Sequence, residues 1–338
     1  MPIDPGRQIS RILFVRTDRI GDVLMNLPAI RLLRQTFPKA WLTLLLDRSV
    51  AGLLKDHPDI DELMAVDADK LTRSVWDRWN LIRGVRKAGF DLAVVSNPNK
   101  FFHQLVFLAG IPYRLGYRRK WGFLLNKTMV DRKDSAWGHE IDLNLHLVSL
   151  ASDKTWDGHL TIPVDPAASN RVESLMGEQG IGSQDILLIH AGTSNPEKRW
   201  PLEKFIGLSE AAQSWGNFTV ILIGGEEEKS ASGQIRRRAS GGRITDWTGL
   251  LSLQELAALF NHHLVKALVS SDSGPVHIAW MSGTPVVALY AKNVTGCNPV
   301  RWGPRGPGNE VIFKPLSEIT CEEVWSAVQR ATLKNRIR

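Results

Sequence analysis

The sequence predicts an α/β protein of two domains, each built on a doubly wound parallel sheet. Apolar runs of five to seven residues alternate with helical patterns along the chain, which is the βαβ rhythm of such a sheet. The runs are apolar throughout, as expected for parallel strands that are buried on both faces. The alternation breaks once, near Thr161–Pro166, and a chain of 338 residues has room for a domain on either side.

The predicted strands form two sets. The strongest apolar runs are residues 12–15, 41–46 and 91–96 in the first set, and residues 185–192, 219–225, 264–274 and 284–290 in the second. A helix is expected over 22–37, and another at the end of the chain, where Thr320 and Glu323 form a capping box. We therefore place one domain at 1–163 and the other at 164–338, with the C-terminal helix as a candidate to pack back on the first domain.

The charge of the chain indicates an anionic partner. The formal net charge is +7, which suits nucleic acid, a membrane face or a phosphorylated substrate. Residues 114–133 hold seven Arg or Lys and one acid, with three aromatic residues among them. An ordinary solvated basic face would give the same pattern, so the charge alone does not choose a partner.

The cysteines and the apolar runs indicate a compartment. Cys297 and Cys321 have neither metal-ligand spacing nor a disulfide framework, as in a reducing compartment. The first ten residues lack the apolar region of a secretory signal, and no run is long enough for a membrane span. We expect a cytoplasmic protein.

Four segments place polar or glycine residues at the C-terminal ends of predicted strands, where open α/β sheets bind ligands. The first is the turn "RTDRIGD", which has one glycine instead of a glycine-rich phosphate loop. Its Asp22 lies in the first turn of a helix, where an acid stabilises the free N–H groups. The same carboxylate could act as a general base toward an acceptor hydroxyl, and Asp18 is a competing candidate.

The second and third segments suit a nucleotide. In "HAGTSNPEKRWP" a loop of small residues follows a strand and leads to Lys198 and a helix, which is a phosphate-binding arrangement in outline. The spacing is not that of a P-loop, and an ordinary polar loop could have the same sequence pattern. In "LIGGEEEKSA" the acid Glu226 follows a strand and suits ribose hydroxyls, although acids at a helix start need no function.

The fourth segment is "VSSDSGPVHIAWMSGTPVVALY". Asp272, Ser273 and Gly274 lie between a strand and a short helix, whose free N–H groups suit a pyrophosphate. Asp272 as a helix cap and His277 as a core histidine are the structural alternatives. The D-x-D pairs at 59–61 and 67–69 do not follow a strong strand, so we expect no metal site.

Together these segments resemble glycosyltransferase family 9, the ADP-heptose:lipopolysaccharide heptosyltransferases, in the same order along nearly the whole chain. The resemblance is carried by "RTDRIGDVLMNLPAIRLLRQTFP", "HAGTSNPEKRWP" and "SDSGPVHIAWMSGTPVVALY". It implies a GT-B architecture, two Rossmann-like domains facing across a cleft, with the acceptor bound by the first and the nucleotide-sugar by the second. After Tyr290 the chain departs from the family, because a longer and more basic loop at 291–306 replaces a short one. The resemblance therefore implies the class of donor and not its sugar.

The resemblance assigns roles to residues. It implies Asp22 as the base, in place of Asp18, and Lys198 as a contact to donor phosphate. The donor site it implies comprises Thr193, Ser194, Lys198, Glu226, Asp272, Ser273, Gly274 and His277. The basic residues expected to bind an anionic acceptor are Arg19, Lys100, Arg118, Arg119 and Lys120.

The expected function is inverting transfer of a heptose or a related sugar from an ADP-sugar, such as ADP-heptose, to a lipopolysaccharide core or a similar glycan or anionic glycolipid, without metal or cofactor. The protein would act on the cytoplasmic face of the inner membrane, in peripheral contact with its anionic surface, and would not bind nucleic acid. Alternatives are another donor sugar or acceptor within the family, a nucleotide-sugar epimerase, and a basic non-catalytic binder of anionic surfaces. A nicotinamide-dependent oxidoreductase is disfavoured, because no G-x-G-x-x-G follows a strand.

Overall fold

The computed structural model describes residues 8–131, 138–193 and 195–335. The chain divides into two compact units, Met1–Pro163 and Val164–Arg338. Each unit contains one parallel sheet whose strands are connected by helices. Among the described residues, no helix is both long enough and apolar enough to span a membrane.

The first unit is a Rossmann-like fold. Within residues 8–131 its strands are β1 (Arg11–Val15), β2 (Trp41–Asp47), β3 (Glu62–Val66), β4 (Leu92–Val95), β5 (Tyr113–Tyr117) and β6 (Lys127–Met129). Its described helices are α1 (Ile20–Leu24), α2 (Leu27–Thr36), α3 (Arg48–Ala51), α4 (Ala68–Arg73), α5 (Val75–Ala88), α6 (Lys100–Leu108) and α7 (Glu140–Val148), with 3₁₀ turns at Gly52–Leu54 and Gly122–Leu124. The strand order is β3-β2-β1-β4-β5-β6, and neighbouring strands are parallel. The order reverses between β1 and β4, so a crevice for ligands is expected at their C-terminal ends.

The second unit repeats the same topology. Its described strands are β7 (Ile186–His190), β8 (Thr219–Ile223), β9 (Ile244–Asp246), β10 (Val265–Ser271), β11 (Val286–Ala291) and β12 (Glu310–Lys314). Its described helices are α8 (Pro166–Glu178), α9 (Leu202–Trp215), α10 (Lys229–Arg238), α11 (Leu253–Asn261), α12 (Gly274–Met281), α13 (Pro299–Trp302) and α14 (Cys321–Asn335), with 3₁₀ turns at Pro196–Lys198 and Glu226–Glu228. The order β12-β11-β10-β7-β8-β9 reverses between β7 and β10.

The predicted helix over 22–37 is wrong as a single element. It is interrupted at Met25 and Asn26, between α1 and α2. Pro28 lies in the first turn of α2, and its missing N–H cannot continue the hydrogen bonding of the preceding turn. The Nδ2 of Asn144, on α7, donates to the Met25 carbonyl at 3.2 Å, so α7 supports the break.

The C-terminal helix packs on its own unit. α14 contacts α9 and the strands β10, β11 and β12. The expected cap is present, because the backbone N–H of Glu323 donates to the Thr320 hydroxyl at 3.2 Å. The weakly patterned stretch before β7 contains α8, which begins where Asp165 accepts a hydrogen bond from the backbone N–H of Ala167.

The inner strands form the core of each unit. Residues 12–15 of β1 and residues 186–189 of β7 are wholly buried. Close-packed strands of this kind have few alternative side-chain positions. The buried strands β1 and β7 therefore fix the backbone position of the polar residues that follow them.

Candidate functional site

The C-terminal ends of β1 and β4 in the first unit bring a cluster of charged side chains together around Arg16. Its Nη2 donates to Asp22 Oδ1 at 2.5 Å and lies 3.1 Å from Asp18 Oδ2. Its Nη1 donates to the Ser96 carbonyl, just after β4, at 3.1 Å, and lies 3.7 Å from Glu140 Oε1. One guanidinium thus joins the turn after β1, the end of β4 and the start of α7.

The cluster is buried at one end and open at the other. The side chains of Arg16 and Glu140 are 4% and 0% exposed, whereas those of Asp22 and Asp18 are 22% and 28% exposed. Burial alone would lower the pKa of the Arg16 guanidinium, but Asp22, Asp18 and Glu140 outweigh it and raise that pKa. Arg16 is therefore a permanently charged, fixed support for two carboxylates that solvent or substrate can reach.

Asp22 and Asp18 were predicted from the sequence, whereas Arg16 and Glu140 were not. Arg16 could have been noticed, because a charged residue directly after a buried strand needs a partner. No sequence pattern pointed to Glu140, since it lies far from Arg16 along the chain and an acid in the first turn of a helix is common. The backbone N–H of Ile141 donates to Nδ1 of His139, which caps the helix that carries Glu140.

A cavity of about 520 Å³ adjoins this cluster within the first unit. Its lining includes Thr17, Asp18, Ala68, Leu71, Thr72, Arg78, Asn97, Asn99, Lys100, Phe101, Phe102, Gln104 and Trp121. Asn97 Nδ2 donates to Asp18, and Lys100 Nζ lies 5.9 Å from the centre of the Trp121 ring. Amides, an aromatic face and a cation are the groups that bind hydroxyls, sugar rings and anionic substituents.

The predicted acceptor residues have different surroundings. Lys100 lines the cavity, while Arg19 is an exposed residue that precedes α1. Arg118 and Lys120 are exposed on the turn that leads to Trp121. Arg119 Nη1 pairs with Asp131 at 3.0 Å, so its charge is already partly balanced.

In the second unit, the ends of β7 and β10 bring Lys198 and Asp272 together. Lys198 Nζ donates to Asp272 Oδ2 at 2.7 Å, and both side chains are largely buried. The loop that carries Lys198 is anchored by Trp200, which is wholly buried and donates from Nε1 to the Ile319 carbonyl at 3.2 Å. The backbone N–H of Trp200 also donates to the Ser271 hydroxyl at 3.4 Å. The tryptophan of the "KRWP" stretch therefore fixes the lysine two residues before it.

A second polar group lies beside this pair, at the start of α12. His190 Nδ1 shares hydrogen bonds with the hydroxyls of Ser270 at 2.9 Å and Ser273 at 3.3 Å. Burial lowers the pKa of His190 to about 4, so the imidazole is neutral at physiological pH. The Ser273 hydroxyl bonds to His190 and to Ser270 at 2.8 Å instead of capping α12. The first N–H groups of α12, from Gly274 onward, have no acceptor within the helix, and such groups form anion sites at helix N-termini.

The remaining predicted donor residues are near this group or outside the described residues. Thr193 is buried and accepts a hydrogen bond from the Asn195 N–H at 3.4 Å. His277 is buried within α12. Glu226 is exposed and pairs with Lys229 at 2.8 Å. Ser194 lies outside the described residues.

The loop after β11 adds a residue that sequence reasoning did not assign. Cys297 Sγ accepts a hydrogen bond from the Ala291 N–H at 3.1 Å. Burial, together with the nearby Asp272 carboxylate, raises the pKa of the Cys297 thiol to about 11. The loop is anchored where the Tyr290 hydroxyl donates to the Trp302 carbonyl at 2.9 Å. The loop at 291–306, where the chain differs from the family pattern, thus lies beside the Lys198–Asp272 pair.

The acidic pairs considered for metals have other partners. Asp59 pairs with Arg31 at 2.9 Å and Asp61 with Arg34 at 2.5 Å, while Asp67 caps α4. Across the described parts of the chain, no group of three or more His, Cys, Asp or Glu side chains is placed to hold a metal ion.

Two solved structures of glycosyltransferases have a fold similar to that of this chain. The glycosyl transferase family 9 structure from Veillonella parvula DSM 2008 has a TM-score of 0.85 at 22% identity, covering 97% of this chain and 99% of that one. The Escherichia coli ADP-heptose lps heptosyltransferase II has a TM-score of 0.80 at 21% identity, covering 96% and 99%. These structures confirm the predicted GT-B fold class.

Sequence comparison gives the family. Lipopolysaccharide heptosyltransferase 2 of Salmonella typhimurium strain LT2 is 26% identical over 348 residues, covering 93% of this chain and 96% of the relative. Residues 78–330 match the model of Glycosyltransferase family 9 (heptosyltransferase), which is well over half of the chain. The protein therefore belongs to glycosyltransferase family 9 and is a glycosyltransferase.

Proposed function

We propose that this protein transfers a heptose or a related sugar from an ADP-sugar to a lipopolysaccharide core or a similar anionic glycolipid, with inversion at the anomeric carbon. The observation that carries the proposal is the pairing of Asp22 with buried Arg16, which presents a partly exposed carboxylate at the end of β1. Membership of the family and the lipopolysaccharide heptosyltransferases among its relatives support the substrate class.

In the proposed reaction Asp22 is the general base. It takes the proton of an acceptor hydroxyl while that oxygen forms a bond to the anomeric carbon, and the bond from this carbon to the diphosphate breaks in line. A positioned base typically contributes a factor of about 10²–10⁴. Arg16 holds the carboxylate, so little reorientation is needed during the reaction.

The donor is assigned to the second unit. The leaving ADP gains negative charge on its terminal phosphate, and Lys198 with the first N–H groups of α12 would stabilise it. Asp272 keeps Lys198 in place until the diphosphate arrives. Because Lys198 and the helix N-terminus supply positive charge, we propose a reaction that needs no metal ion or cofactor. Glu226 is assigned to the ribose.

The acceptor is assigned to the cavity beside Asp18. Lys100 would bind an anionic group of the acceptor, and Trp121 would pack against a sugar ring. Arg19, Arg118 and Lys120 add positive charge outside the cavity. A lipid-linked acceptor places the protein at the cytoplasmic face of the inner membrane, where anionic lipids attract basic surfaces.

The decisive experiment is mass spectrometry of truncated lipopolysaccharide incubated with the enzyme and, in turn, ADP-, UDP- and GDP-sugars. We expect one sugar to be added from an ADP-sugar, and no addition by an Asp22→Asn variant. Transfer from another nucleotide-sugar would agree with the family assignment but would show that the proposed donor is wrong. Conversion of the donor without acceptor would favour an epimerase, and salt-sensitive binding without any product would favour a non-catalytic binder.

A further inference from the structure

We propose that an exposed aromatic surface of the first unit, which we call the aromatic rim and define as Val75, Trp76, Trp79, Trp121 and Phe123, binds the surface of an anionic lipid bilayer. The proposal rests on the proposed function, because a lipid-linked acceptor must be reached at a membrane. It goes further by naming the face of the protein that touches the lipid.

The exposure of the rim is the first observation. Phe123, Val75 and Trp76 are 78%, 77% and 76% exposed, more than any other large apolar side chain among the described residues. Trp79 and Trp121 are also exposed. Single apolar residues on a surface are ordinary, but several around one feature mark a binding surface.

The five side chains belong to two segments, each of which contributes one residue to the lining of the same cavity, Arg78 from α5 and Trp121 from the turn before Gly122–Leu124. Trp121 lines the acceptor cavity directly, and its ring centre lies 6.2 Å from that of Phe123. On the α5 side the cavity is lined by Arg78, whose guanidinium lies 5.4 Å from the centre of the Phe101 ring at the start of α6. Trp76 and Trp79 are three residues apart on α5, so they share one face of that helix.

The charges around the rim favour lipid over a second protein. Residues 118–124 carry three basic residues, Arg118, Arg119 and Lys120, and no acid, and Arg119 is paired with Asp131 outside this stretch. Lys100 adds a cation above the Trp121 ring. The α4–α5 side is nearly balanced, with four basic and three acidic residues over 67–83, so the positive charge lies on the turn. Tryptophan beside lysine and arginine is the composition of segments that lie in the headgroup layer of anionic membranes.

The arrangement would help the reaction by placing the cavity at the lipid surface. A lipid-linked acceptor then presents its sugar to Asp18 and Lys100, on the cavity wall, without leaving the bilayer. The aromatic rim holds the protein by its apolar side chains, and the basic turn supplies attraction that depends on salt.

The test is co-sedimentation of the full chain with two kinds of vesicle, phosphatidylcholine alone and phosphatidylcholine with phosphatidylglycerol. We expect binding to the anionic vesicles that weakens with added salt. The double variant Trp76→Ser, Trp79→Ser and the variant Phe123→Ser should each weaken binding about tenfold, because they remove apolar area from the lipid. The matched control is Trp215→Ser, since Trp215 is an exposed tryptophan of the second unit, 64% exposed, and is not part of the rim.

Each variant is also assayed for transfer to a lipid-free acceptor, which reports folding and activity without a membrane. Wild-type protein that fails to bind anionic vesicles, or a Trp215→Ser variant that loses as much binding as the rim variants, would overturn the proposal. Rim variants that dissociate a dimer of the wild-type protein without changing vesicle binding would assign the surface to a second copy of the chain instead. If the wild-type protein bound vesicles but transferred no sugar, the proposed function would be contradicted and the membrane-binding proposal would stand.

Discussion

Arg16 Nη2 donates to Asp22 Oδ1 across 2.5 Å, and the same nitrogen lies 3.1 Å from Asp18 Oδ2. One guanidinium therefore orients both carboxylates that could act as the base. Its other terminal nitrogen is held by the Ser96 carbonyl and faces Glu140, which is wholly buried. The position of the proposed base thus depends on a side chain that does not reach the solvent.

Arg16→Lys should lower kcat by about tenfold to a hundredfold and leave KM for the donor unchanged. Lysine keeps the charge but lacks the planar fork that contacts several groups at once, so the Asp22 carboxylate would be less well positioned. Steady-state kinetics on a truncated acceptor measure the effect. The matched control is Arg34→Lys, which changes an ion pair of the same length, to Asp61, elsewhere in the first unit. An equal loss in the control would mean that the effect is not specific to the site.

Asp22→Asn should reduce kcat at least about a hundredfold, because the amide cannot accept the proton. Donor affinity, measured by calorimetry with ADP, should change by less than a few-fold. Asp18→Asn is the comparison, since Asp18 shares the Arg16 partner and has a similar exposure. If Asp18→Asn lost activity and Asp22→Asn retained it, the two roles would be exchanged.

Lys198→Ala should raise KM for the nucleotide-sugar by about tenfold or more, because a charge-assisted contact to phosphate is lost. Asp272→Asn should have a smaller effect of the same kind, since it leaves the lysine in place without its 2.7 Å partner. The double variant should be little worse than Lys198→Ala alone, because both changes act on one interaction. Fully additive losses would show that Asp272 contacts the donor independently of Lys198.

The sequence was sufficient for seven of the eight inner strands and insufficient for β5 and for the edges. The inner strand β5 was missed because Arg114 and Gly116 interrupt its apolar run. The seven predicted runs correspond to β1, β2, β4, β7, β8, β10 and β11, which lie inside the two sheets. The edge strands β3, β6, β9 and β12 are short or partly exposed and mix polar with apolar residues. An edge strand is covered less completely, so its sequence need not be uniformly apolar.

The site was predictable to the extent that it follows strands along the chain. Asp22, Lys198 and Asp272 could be identified because each lies just after a strand in a segment with a family pattern. Glu140 could not, because its contact with Arg16 joins residues that are far apart in sequence. Long-range pairs of this kind depend on how helices pack on a sheet, which local pattern does not encode.

Glu140→Gln should destabilise the first unit by about 1–3 kcal/mol, because a buried partner of the Arg16 cation is replaced by a neutral amide. Urea unfolding followed by circular dichroism measures the change. Glu62→Gln, on an edge strand of the same unit, is the control for the substitution itself. A stability equal to that of the wild type would mean that Asp22 and Asp18 alone balance the charge of Arg16.

His190 should make the stability of the second unit dependent on pH. Burial lowers the pKa of His190 to about 4 in the folded protein, whereas an unfolded histidine titrates near 6.5. As the pH falls, His190 therefore binds a proton in the unfolded chain before it does so in the folded protein. The stability that neutral His190 contributes is complete above a pH of about 6.5 and is lost as the pH falls toward 4. Between pH 7 and pH 5 the free energy of unfolding should fall by about 2 kcal/mol because of this residue.

Urea unfolding of wild-type protein and of His190→Asn at both pH values tests this. The variant keeps a polar group near Ser270 but cannot gain a proton, so its stability should depend less on pH by that amount. His159→Asn is the control for the substitution itself, because it makes the same change at an exposed histidine. A His190→Asn variant with the pH dependence of the wild type would mean that other buried histidines, such as His103, whose pKa burial lowers to about 4, account for it.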